Sequence, residues 1–261
     1  MFRVVIPARY DSVRLPGKAL RQIAGKPMVQ WAYERARAAG ALEVLIATDD
    51  ARIRDAAGAF GAEGVMTSAA HVSGTDRIAE VAAARGWPER DIVVNLQGDE
   101  PLMPPALIAQ VAELLDSVPG AQIATLATPL GSVAELLDTN TVKVVTDTSG
   151  RALYFSRAPI PWNRAGAAAG LVSQTDPGGA RRHLGIYAYR VGPLKRLAGL
   201  PPGALELREK LEQLRALENG FHIQVADARE APGPDVNTAA DLARVAALLG
   251  ATVSGGVDGG N

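Results

Sequence analysis

Residues 2–18 read FRVVIPARYDSVRLPGK, an apolar run followed at once by a cationic loop. The segment from Phe2 to Pro7 lacks the polar alternation of a half-exposed strand, which predicts a strand buried on both faces. Strands of this kind belong to parallel sheets that helices cover, and ligands bind such sheets where the strands end. We therefore expect the loop after Pro7 to carry a ligand site.

Strand-like and helix-like segments alternate through residues 1–140, for example the apolar run Leu42–Ala47 followed by a helical pattern over Asp50–Phe60. Repeated β-then-α units predict an α/β fold: a Rossmann-like, mostly parallel sheet with helices on both faces. No G-x-G-x-x-G follows the first strand, so the dinucleotide-binding version of this fold loses its main support.

The alternation changes in the second half of the chain. DTSG at 147–150 predicts a hairpin turn, 161–182 a mobile loop rich in Gly, Ala and Pro, and Leu205–Leu217 an amphipathic helix. We predict a core over 1–140, a smaller inserted subdomain over 141–219, a closing strand and helix over 220–250, and a disordered tail over 251–261.

Composition excludes several classes of protein. The 261 residues contain no cysteine and three histidines, so disulfide scaffolds, thiolate nucleophiles and Cys-based metal sites are excluded. A net charge of -1 argues against a nucleic-acid partner or an anionic membrane surface. Neither a signal-peptide pattern nor an uncharged apolar run of ~18 residues is present, so we expect a cytoplasmic protein.

The near-neutral total hides a cancellation between segments. Residues 1–37 hold eight cations and two acids, net +6, and residues 151–200 hold eight cations and one acid, net +7. The remainder holds eleven cations and twenty-five acids, net -14. These two basic segments are compatible with small anionic substrates.

The first basic segment contains Arg9, Arg14 and Lys18 within ten residues. Cations and free backbone N–H groups after a buried strand suit a polyphosphate, and Gly17 permits close approach of a ligand. The loop is not a Walker A motif, because Ser12 and Ala19 stand where that motif needs glycine and a hydroxyl residue. The alternative is a solvated basic turn.

A carboxylate follows a second apolar run. Asp99 lies in QGDEP at 97–101, directly after the predicted strand Asp91–Leu96. Mg²⁺ is commonly held by one or two carboxylates together with substrate phosphates. The alternative is an ordinary turn in which Asp99 bonds to its own backbone. Next to a polyphosphate loop, the metal interpretation is favoured.

Further motifs carry a resemblance to a known family. They are RxxxxRLPGK at 9–18, GKPM at 25–28, HVSGTDR at 71–77, VNLQGDEP at 94–101, YFSRAPIPW at 154–162, RHLGIY at 182–187 and LEQLR at 211–215. Together they resemble the 3-deoxy-manno-octulosonate (Kdo) cytidylyltransferases, or CMP-Kdo synthetases, among the sugar nucleotidyltransferases. The resemblance covers roughly residues 3–248. It implies a sheet of the nucleotide-diphospho-sugar transferase type, nucleotide binding by the core over 1–140, and sugar binding and dimerisation by the inserted subdomain over 141–219. It implies that CTP and Kdo react to CMP-Kdo and pyrophosphate, with Mg²⁺, as a homodimer serving lipopolysaccharide biosynthesis.

The resemblance also implies a role for individual residues. Arg9, Lys18 and Asp99 would be catalytic, through charge neutralisation during in-line attack of the anomeric hydroxyl on the α-phosphorus. The nucleotide would be bound by Ala8, Arg9, Arg14, Lys18, Ser73, Gly74, Arg77 and Gln97. Kdo would be bound by Gln97, Arg157, His183, Tyr187, Glu212 and Gln213. The alternative is a structural ion pair for Arg157, a hydrogen-bonded core histidine at His183, and a solvated helix face for Glu212 and Gln213.

The sequence departs from the family at the second metal ligand. Family members generally carry aspartate in a V-D-T segment near the C-terminus, whereas this chain has Val236-Asn237-Thr238. An amide oxygen still ligates Mg²⁺ but contributes no charge, so the metal ligands expected are Asp99 and Asn237. Asp235 is a possible substitute, and a helix cap by Asn237 or Thr238 with Asp241 is the structural alternative. Asn237→Asp is expected to tighten the apparent Mg²⁺ affinity.

Other functions remain open from the sequence. A cytidylyltransferase for another acidic sugar, such as a sialic acid, would share the first loop, and only the motifs at 154–162 and 182–187 favour Kdo. A metal-dependent glycosyltransferase does not need the cationic RLPGK loop. A non-catalytic nucleotide-binding module would not need to retain both Lys18 and Asp99.

Overall fold

A computed structural model describes residues 1–12, 14–71, 73–165, 170 and 174–254, with side chains up to residue 250. The chain forms two compact units: the first comprises 1–87, 93–109 and the chain from 232 onward, and the second comprises 88–92 and 110–231. The second unit thus includes 110–140 and 220–231, which lie outside the predicted subdomain. The predicted limits at 140 and 220 concern sugar binding rather than compactness, and they remain a prediction.

The first unit is built on a sheet in the strand order β6-β1-β4-β5. β1 pairs with β4, and β4 with β5, both in parallel, with Ile6 opposite Ile46. Its elements are β1 Phe2–Pro7, β2 Gln22–Ile23, β3 Lys26–Pro27, α1 Met28–Ala38, β4 Val44–Thr48, α2 Ala51–Ala59, β5 Glu63–Met66, α3 Gly74–Ala84, β6 Ile92–Asn95 and α9 Ala239–Ser254. The predicted α/β class is confirmed.

Burial explains the apolar runs of this sheet. Val4, Val5 and Ile6 of β1 and all five residues of β4 are buried, as expected for strands covered on both faces. Polar residues then start the helices: the Asp50 carboxylate accepts a hydrogen bond from Arg52 N, and the Ser73 hydroxyl accepts one from Asp76 N. The loops that lead into these helices therefore lie at the carboxyl ends of the strands.

The C-terminal helix α9 packs on the first loop. Val236, Val245 and Leu249 share a core cluster with Leu15, Ile23 and Met28. Thr238 and Asp241 cap the helix reciprocally, since Asp241 N donates to Thr238 Oγ1 and Thr238 N to Asp241 Oδ2. The tail predicted from residue 251 begins too early, because α9 continues to Ser254. The chain has no proline after Leu249 that would end the helix sooner. Residues 255–261 lie outside the described residues.

The second unit contains the strand order β11-β7-β10, with β8 pairing with β10 and β9. β7 is parallel to β11 and antiparallel to β10. The predicted hairpin is confirmed as β8 and β9, where Val144 lies opposite Phe155. Its elements are β7 Ile123–Pro129, α5 Val133–Leu137, β8 Lys143–Thr146, β9 Ala152–Ser156, β10 Arg181–Arg190, α6 Val191–Ala198, α7 Ala204–Glu209, α8 Gln213–Glu218 and β11 Ile223–Asp227, while α4 Pro105–Ser117 begins in the first unit and ends in the second.

The single helix predicted over Leu205–Leu217 is wrong. Two short helices, α7 and α8, replace it, because Lys210 adopts a left-handed conformation with φ +55° and ends α7. Arg215 pairs with Glu206 through two short hydrogen bonds of 2.7 and 2.8 Å and ties the helices together. Part of the loop predicted over 161–182, at 166–169 and 171–173, lies outside the described residues. At its other end, strand β10 already begins at Arg181.

None of the helices in the described part of the chain is both long and apolar enough to cross a membrane.

Candidate active site

A cavity of about 800 Å³ opens at the carboxyl end of β1 in the first unit. Seven of the predicted site residues line it together: Ala8, Arg9, Arg14, Lys18, Gln97, Asp99 and Asn237. The remaining lining residues are Pro7, Tyr10, Asp11, Ser12, Pro16, Gly17, Ala19, Met28 and Gly98. The structure therefore brings the cationic loop and the QGDEP turn to one site, as the parallel sheet predicted.

Local backbone contacts hold the cationic loop in place. Ala8 N donates to Ala47 O at 2.9 Å, and Gly17 N closes the loop onto Tyr10 O at 3.2 Å. Gly17 has φ +66°, a left-handed conformation that favours glycine. The Tyr10 ring is held from the other direction by the Arg52 guanidinium, 3.4 Å from its centroid. Tyr10 is a cavity residue that the sequence analysis missed, and its only signal is its position beside Arg9.

Gly17→Ala is expected to lower the free energy of unfolding by more than Gly40→Ala. Both glycines have positive φ, which costs an alanine about 1 kcal/mol, but only at Gly17 would the new Cβ meet another group, the Tyr10 hydroxyl at 3.2 Å. Urea unfolding of the two variants measures the difference, and CTP titration should be weakened only by Gly17→Ala. Equal stability and CTP affinity in both variants would contradict the role given to the Gly17–Tyr10 contact.

Lys18 lies at the centre of the polar groups in the cavity. Its Nζ is 2.5 Å from Asp99 Oδ2 and 3.3 Å from Asn237 Oδ1, and Arg14 Nη2 donates to the same Asn237 oxygen at 2.8 Å. Lys18 and Asp99 are both partly buried, with side chains 14% and 31% exposed. Reduced hydration strengthens their mutual attraction relative to a surface pair. The cavity thus offers both cations for phosphates and a carboxylate for a metal.

The oxygen atoms around Lys18 Nζ fit a divalent cation. A carboxylate oxygen of Asp99 and an amide oxygen of Asn237 converge on one positive charge, and hard oxygen ligands are those that Mg²⁺ prefers. Within the described residues no group of three or more His, Cys, Asp or Glu side chains could hold a metal. The donor set therefore fits a Mg²⁺ ion whose coordination substrate phosphates complete, and that the ion binds here stays a prediction.

The predicted cytidine loop does not line this cavity. The Ser73 hydroxyl caps α3, and a Cβ on Gly74 would lie 3.2 Å from Pro7 Cγ, so the loop packs against the end of β1. Arg77 is buried, and its guanidinium bonds to Thr67 Oγ1 and, at 2.7 Å, to Asp49 Oδ2. This geometry supports a structural role for Arg77. The cytidine contacts stay predictions, and Val72 of this motif lies outside the described residues.

Arg157, in the second unit, is anchored by its neighbours. Its Nε donates to Glu209 O and its Nη1 to Thr139 O, both at 2.8 Å. The Glu209 carboxylate accepts bonds from Arg157 N and Ser156 Oγ, and the buried Lys143 donates to Arg157 O at 2.6 Å. The guanidinium therefore bonds to backbone carbonyls, and within the described part of the chain no carboxylate forms the structural ion pair that was the alternative.

His183 is held as a neutral imidazole. Thr125 Oγ1 lies 2.7 Å from Ile186 O and 3.1 Å from Leu184 O, and both carbonyls can only accept its single proton, so we assign His183 Nε2, at 3.0 Å, as a donor to Thr125 Oγ1. This leaves Nδ1 as the acceptor nitrogen. The ring packs edge-on against Phe155, and burial, together with the charge of Arg182, lowers the pKa of His183 to about 3.

The neutral state of His183 predicts a pH-dependent stability. In the unfolded chain the imidazole takes up a proton as the pH falls below its ordinary pKa of 6.5, whereas the folded chain resists this down to about pH 3. The unfolded state then binds more protons, so stability is lost as the pH falls through this window. His183→Gln should lose less unfolding free energy than wild type between neutral pH and about pH 5 in urea titrations. Identical pH profiles for the two proteins would refute this.

Tyr187 lies beside His183, with 5.2 Å between the ring centroids. Its hydroxyl is buried and has no hydrogen-bond partner among the described residues. Burial, with the neighbouring Tyr189 and the charge of Glu212, raises the pKa of Tyr187 well above its ordinary value. A buried hydroxyl without a partner is costly, and a hydroxyl-rich ligand would satisfy it. The structure therefore brings two of the predicted sugar-binding residues together, His183 and Tyr187.

Gln213, the last predicted sugar-binding residue, begins α8 directly after Glu212. Both side chains are half-buried, so neither lies on the fully solvated helix face that was the structural alternative. All of the predicted Kdo residues except Gln97 belong to the second unit.

Comparisons with known proteins show which family this chain resembles. A family described as "Cytidylyltransferase" matches residues 3–225. Proteins named 3-deoxy-manno-octulosonate cytidylyltransferase from Thioalkalivibrio sulfidiphilus and Halorhodospira halophila are 56% and 55% identical over 95% and 96% of this chain, and each is covered over 98% of its length. A solved structure of CMP:2-keto-3-deoxy-manno-octonic acid synthetase complexed with CTP matches with a TM-score of 0.86 and 43% identity, covering 97% of this chain and 100% of the solved chain.

Proposed function

The chain belongs to the cytidylyltransferase family, and we propose on this basis that it transfers CMP from CTP to Kdo, giving CMP-Kdo and pyrophosphate. One observation in the molecule supports this most directly. Arg9, Arg14 and Lys18 line the same cavity as Asp99, so that charges for a triphosphate and a ligand for its metal meet at one strand end. This juxtaposition is what nucleotidyl transfer requires.

The cations bind the triphosphate and stabilise the departing pyrophosphate. Arginine makes bidentate contacts to phosphate oxygens, whereas lysine acts as a compact charge, so Arg9 and Arg14 orient the chain of phosphates while Lys18 neutralises it. The anomeric hydroxyl of Kdo attacks the α-phosphorus in line with the leaving pyrophosphate. Nucleotidyl transfer of this kind depends on positioning and electrostatic stabilisation, and it needs no covalent nucleophile from the protein.

Asp99 and Asn237 would hold Mg²⁺ together with substrate oxygens. When bound, the metal supplies neutralisation of phosphate charge and lowers the pKa of the attacking hydroxyl. Lys18, which contacts both ligand oxygens in the free protein, would be available to the phosphates once those oxygens hold the metal. The proton of the attacking hydroxyl would pass to solvent water, so the chain need not supply a dedicated general base.

Kdo recognition is assigned to residues of the second unit. Arg157 is the cation for the sugar carboxylate. The His183 Nδ1 acceptor and the buried Tyr187 hydroxyl, which has no partner within the described chain, suit sugar hydroxyls. The Glu212 carboxylate adds a hydrogen-bond acceptor, and the Gln213 amide adds both a donor and an acceptor.

We place the reaction in the cytoplasm, with CMP-Kdo passing to lipopolysaccharide biosynthesis, and we expect a homodimer. Support for the dimer comes from leucines of the second unit that remain exposed: Leu153 at 60%, Leu207 at 55% and Leu205 at 38%. Apolar surface of this kind is costly in a monomer and suits an isologous interface. Analytical ultracentrifugation of the purified protein tests this.

Pyrophosphate release from CTP tests the proposed reaction. With Mg²⁺ and Kdo the purified protein should release pyrophosphate stoichiometrically with CMP-Kdo, and UTP should not replace CTP. Release with N-acetylneuraminate but not with Kdo would instead establish the sialic acid reaction. CTP binding without release with either sugar would indicate a non-catalytic nucleotide-binding protein.

A further inference from the structure

The amide of Asn237 is held in one orientation by three charged side chains. Its Nδ2 donates to Asp235 Oδ2 at 2.5 Å, while its Oδ1 accepts from Arg14 Nη2 and Lys18 Nζ. Reversing the amide would place its NH₂ group against two cations and its oxygen against a carboxylate. The oxygen therefore points to the cation position, and Asp235 lies behind it.

The backbone on either side of Asn237 is also anchored. Val236 N donates to Asp99 O at 2.9 Å, and the Val236 side chain is fully buried in the core cluster under α9. Asn237 N donates to Asp241 Oδ2 at 3.2 Å, next to the helix cap. The distance between the Asp99 turn and the Asn237 backbone is thus set by main-chain contacts. Asp235 therefore determines only the direction of the Asn237 side-chain amide and the charge behind it.

We propose that Asp235 is a positioning residue for the metal site. It aims Asn237 Oδ1 at the cation, and its carboxylate supplies, through the amide, the negative charge that asparagine lacks as a ligand. Hydrogen-bonded carboxylates behind metal ligands raise ligand basicity and fix ligand orientation, and their loss typically costs ~10–100-fold in metal affinity. This inference rests on the proposed Mg²⁺-dependent function of the same cavity.

The proposal changes the expectation for Asn237→Asp. With Asp235 in place, an aspartate at 237 would set two carboxylates at the 2.5 Å separation that the hydrogen bond now occupies. Like charges at this distance repel, so the new carboxylate would turn away from Asp235 or hold the metal poorly. Asn237→Asp alone is therefore expected to bring no tighter metal binding. The exchange Asp235→Asn with Asn237→Asp keeps both the charge and the hydrogen bond, with the carboxylate now as the ligand.

Mn²⁺ binding to the full chain in the presence of CTP tests this without turnover. Water-proton relaxation enhancement reports Mn²⁺ in the protein–CTP complex separately from Mn²⁺ on CTP alone. Asp235→Asn should weaken Mn²⁺ binding by about tenfold, and the double exchange should restore it. Asp241→Asn is the matched control, because the Asp241 carboxylate accepts a hydrogen bond from the backbone N–H of Asn237 but not from its side-chain amide. Circular dichroism confirms that each variant is folded.

Two results would overturn the inference: wild-type Mn²⁺ affinity in folded Asp235→Asn, or equal weakening by Asp235→Asn and Asp241→Asn. A double exchange no better than Asp235→Asn would count against it as well. Each leaves the proposed function intact if wild type still releases pyrophosphate from CTP and Kdo. Absence of CTP-dependent Mn²⁺ binding in wild type would instead remove the metal from the proposed function and this inference with it. In kinetic assays, Asp235→Asn should raise the Mg²⁺ concentration for half-maximal rate and leave kcat at saturating Mg²⁺ largely unchanged.

Discussion

Replacing Asp99 by asparagine should lower kcat for CMP-Kdo formation about a thousandfold, or ~4 kcal/mol of transition-state stabilisation. Asp99 is the only carboxylate within 4 Å of the Lys18 ammonium among the described ion pairs, and it shares that position with the Asn237 oxygen. An asparagine preserves the shape and one oxygen, but it removes the charge that is proposed to draw a divalent cation to the site. Because charge rather than volume changes, the fold should be retained.

The matched control for this experiment is Asp11→Asn. Asp11 lines the same cavity but is exposed, and the structure assigns it no contact with Lys18 or Asn237. Steady-state pyrophosphate release with saturating CTP and Kdo measures both variants, and thermal unfolding checks their integrity. Near-wild-type kcat in Asp99→Asn, or an equal loss in Asp11→Asn, would remove Asp99 from the metal site.

Lys18→Met should lower kcat about a hundredfold and raise the KM for CTP. The methionine fills a similar volume but cannot neutralise the pyrophosphate that leaves in the transition state. In the free protein the change also leaves the Asp99 carboxylate without the ammonium that lies 2.5 Å from it. Since the two residues act on one another, the loss in the Lys18→Met, Asp99→Asn double variant should be smaller than the sum of the two single losses.

Lys26→Met provides the comparison for Lys18. Lys26 lies in the same unit, outside the cavity, where it pairs with Glu34 and stacks on the Trp31 ring at 4.5 Å. The Lys26→Met variant should be less stable than wild type, but each folded molecule should lose little activity. Equal kinetic losses at Lys18 and Lys26 would mean that the effect at Lys18 comes from destabilisation rather than from phosphate binding.

Local signals in the chain were sufficient for the main features of the site. Val4, Val5 and Ile6 form an apolar run that only burial on both faces accommodates, and the cations follow it within one loop. Asp99 comes directly after another such run. Since parallel strands end at one edge of a sheet, the approach of Asp99 to Lys18 could be predicted without knowing a single contact. The helix cap by Thr238 and Asp241 was the structural alternative for this segment, and its local spacing indicated it, because the two residues lie three positions apart.

Features that depend on distant partners could not be predicted in this way. The leucine spacing over 205–217 reports a helical period, but it does not report that Lys210 turns left-handed and that Glu206 and Arg215 fold the two halves together. The motif around Arg77 does not reveal that its guanidinium is buried against Asp49, a residue at another strand end.

The sequence by itself determined the α/β class, the cationic loop and the carboxylate at a strand end, because each depends on neighbours along the chain. Only the tertiary structure decided which way the Asn237 amide points, since its partners Arg14 and Lys18 come from more than two hundred residues earlier. The asparagine that looked like a weakened ligand is, in three dimensions, an amide oriented by Asp235 toward the cation position. Hydrogen bonding and charge act through space, and the fold selects which side chains meet.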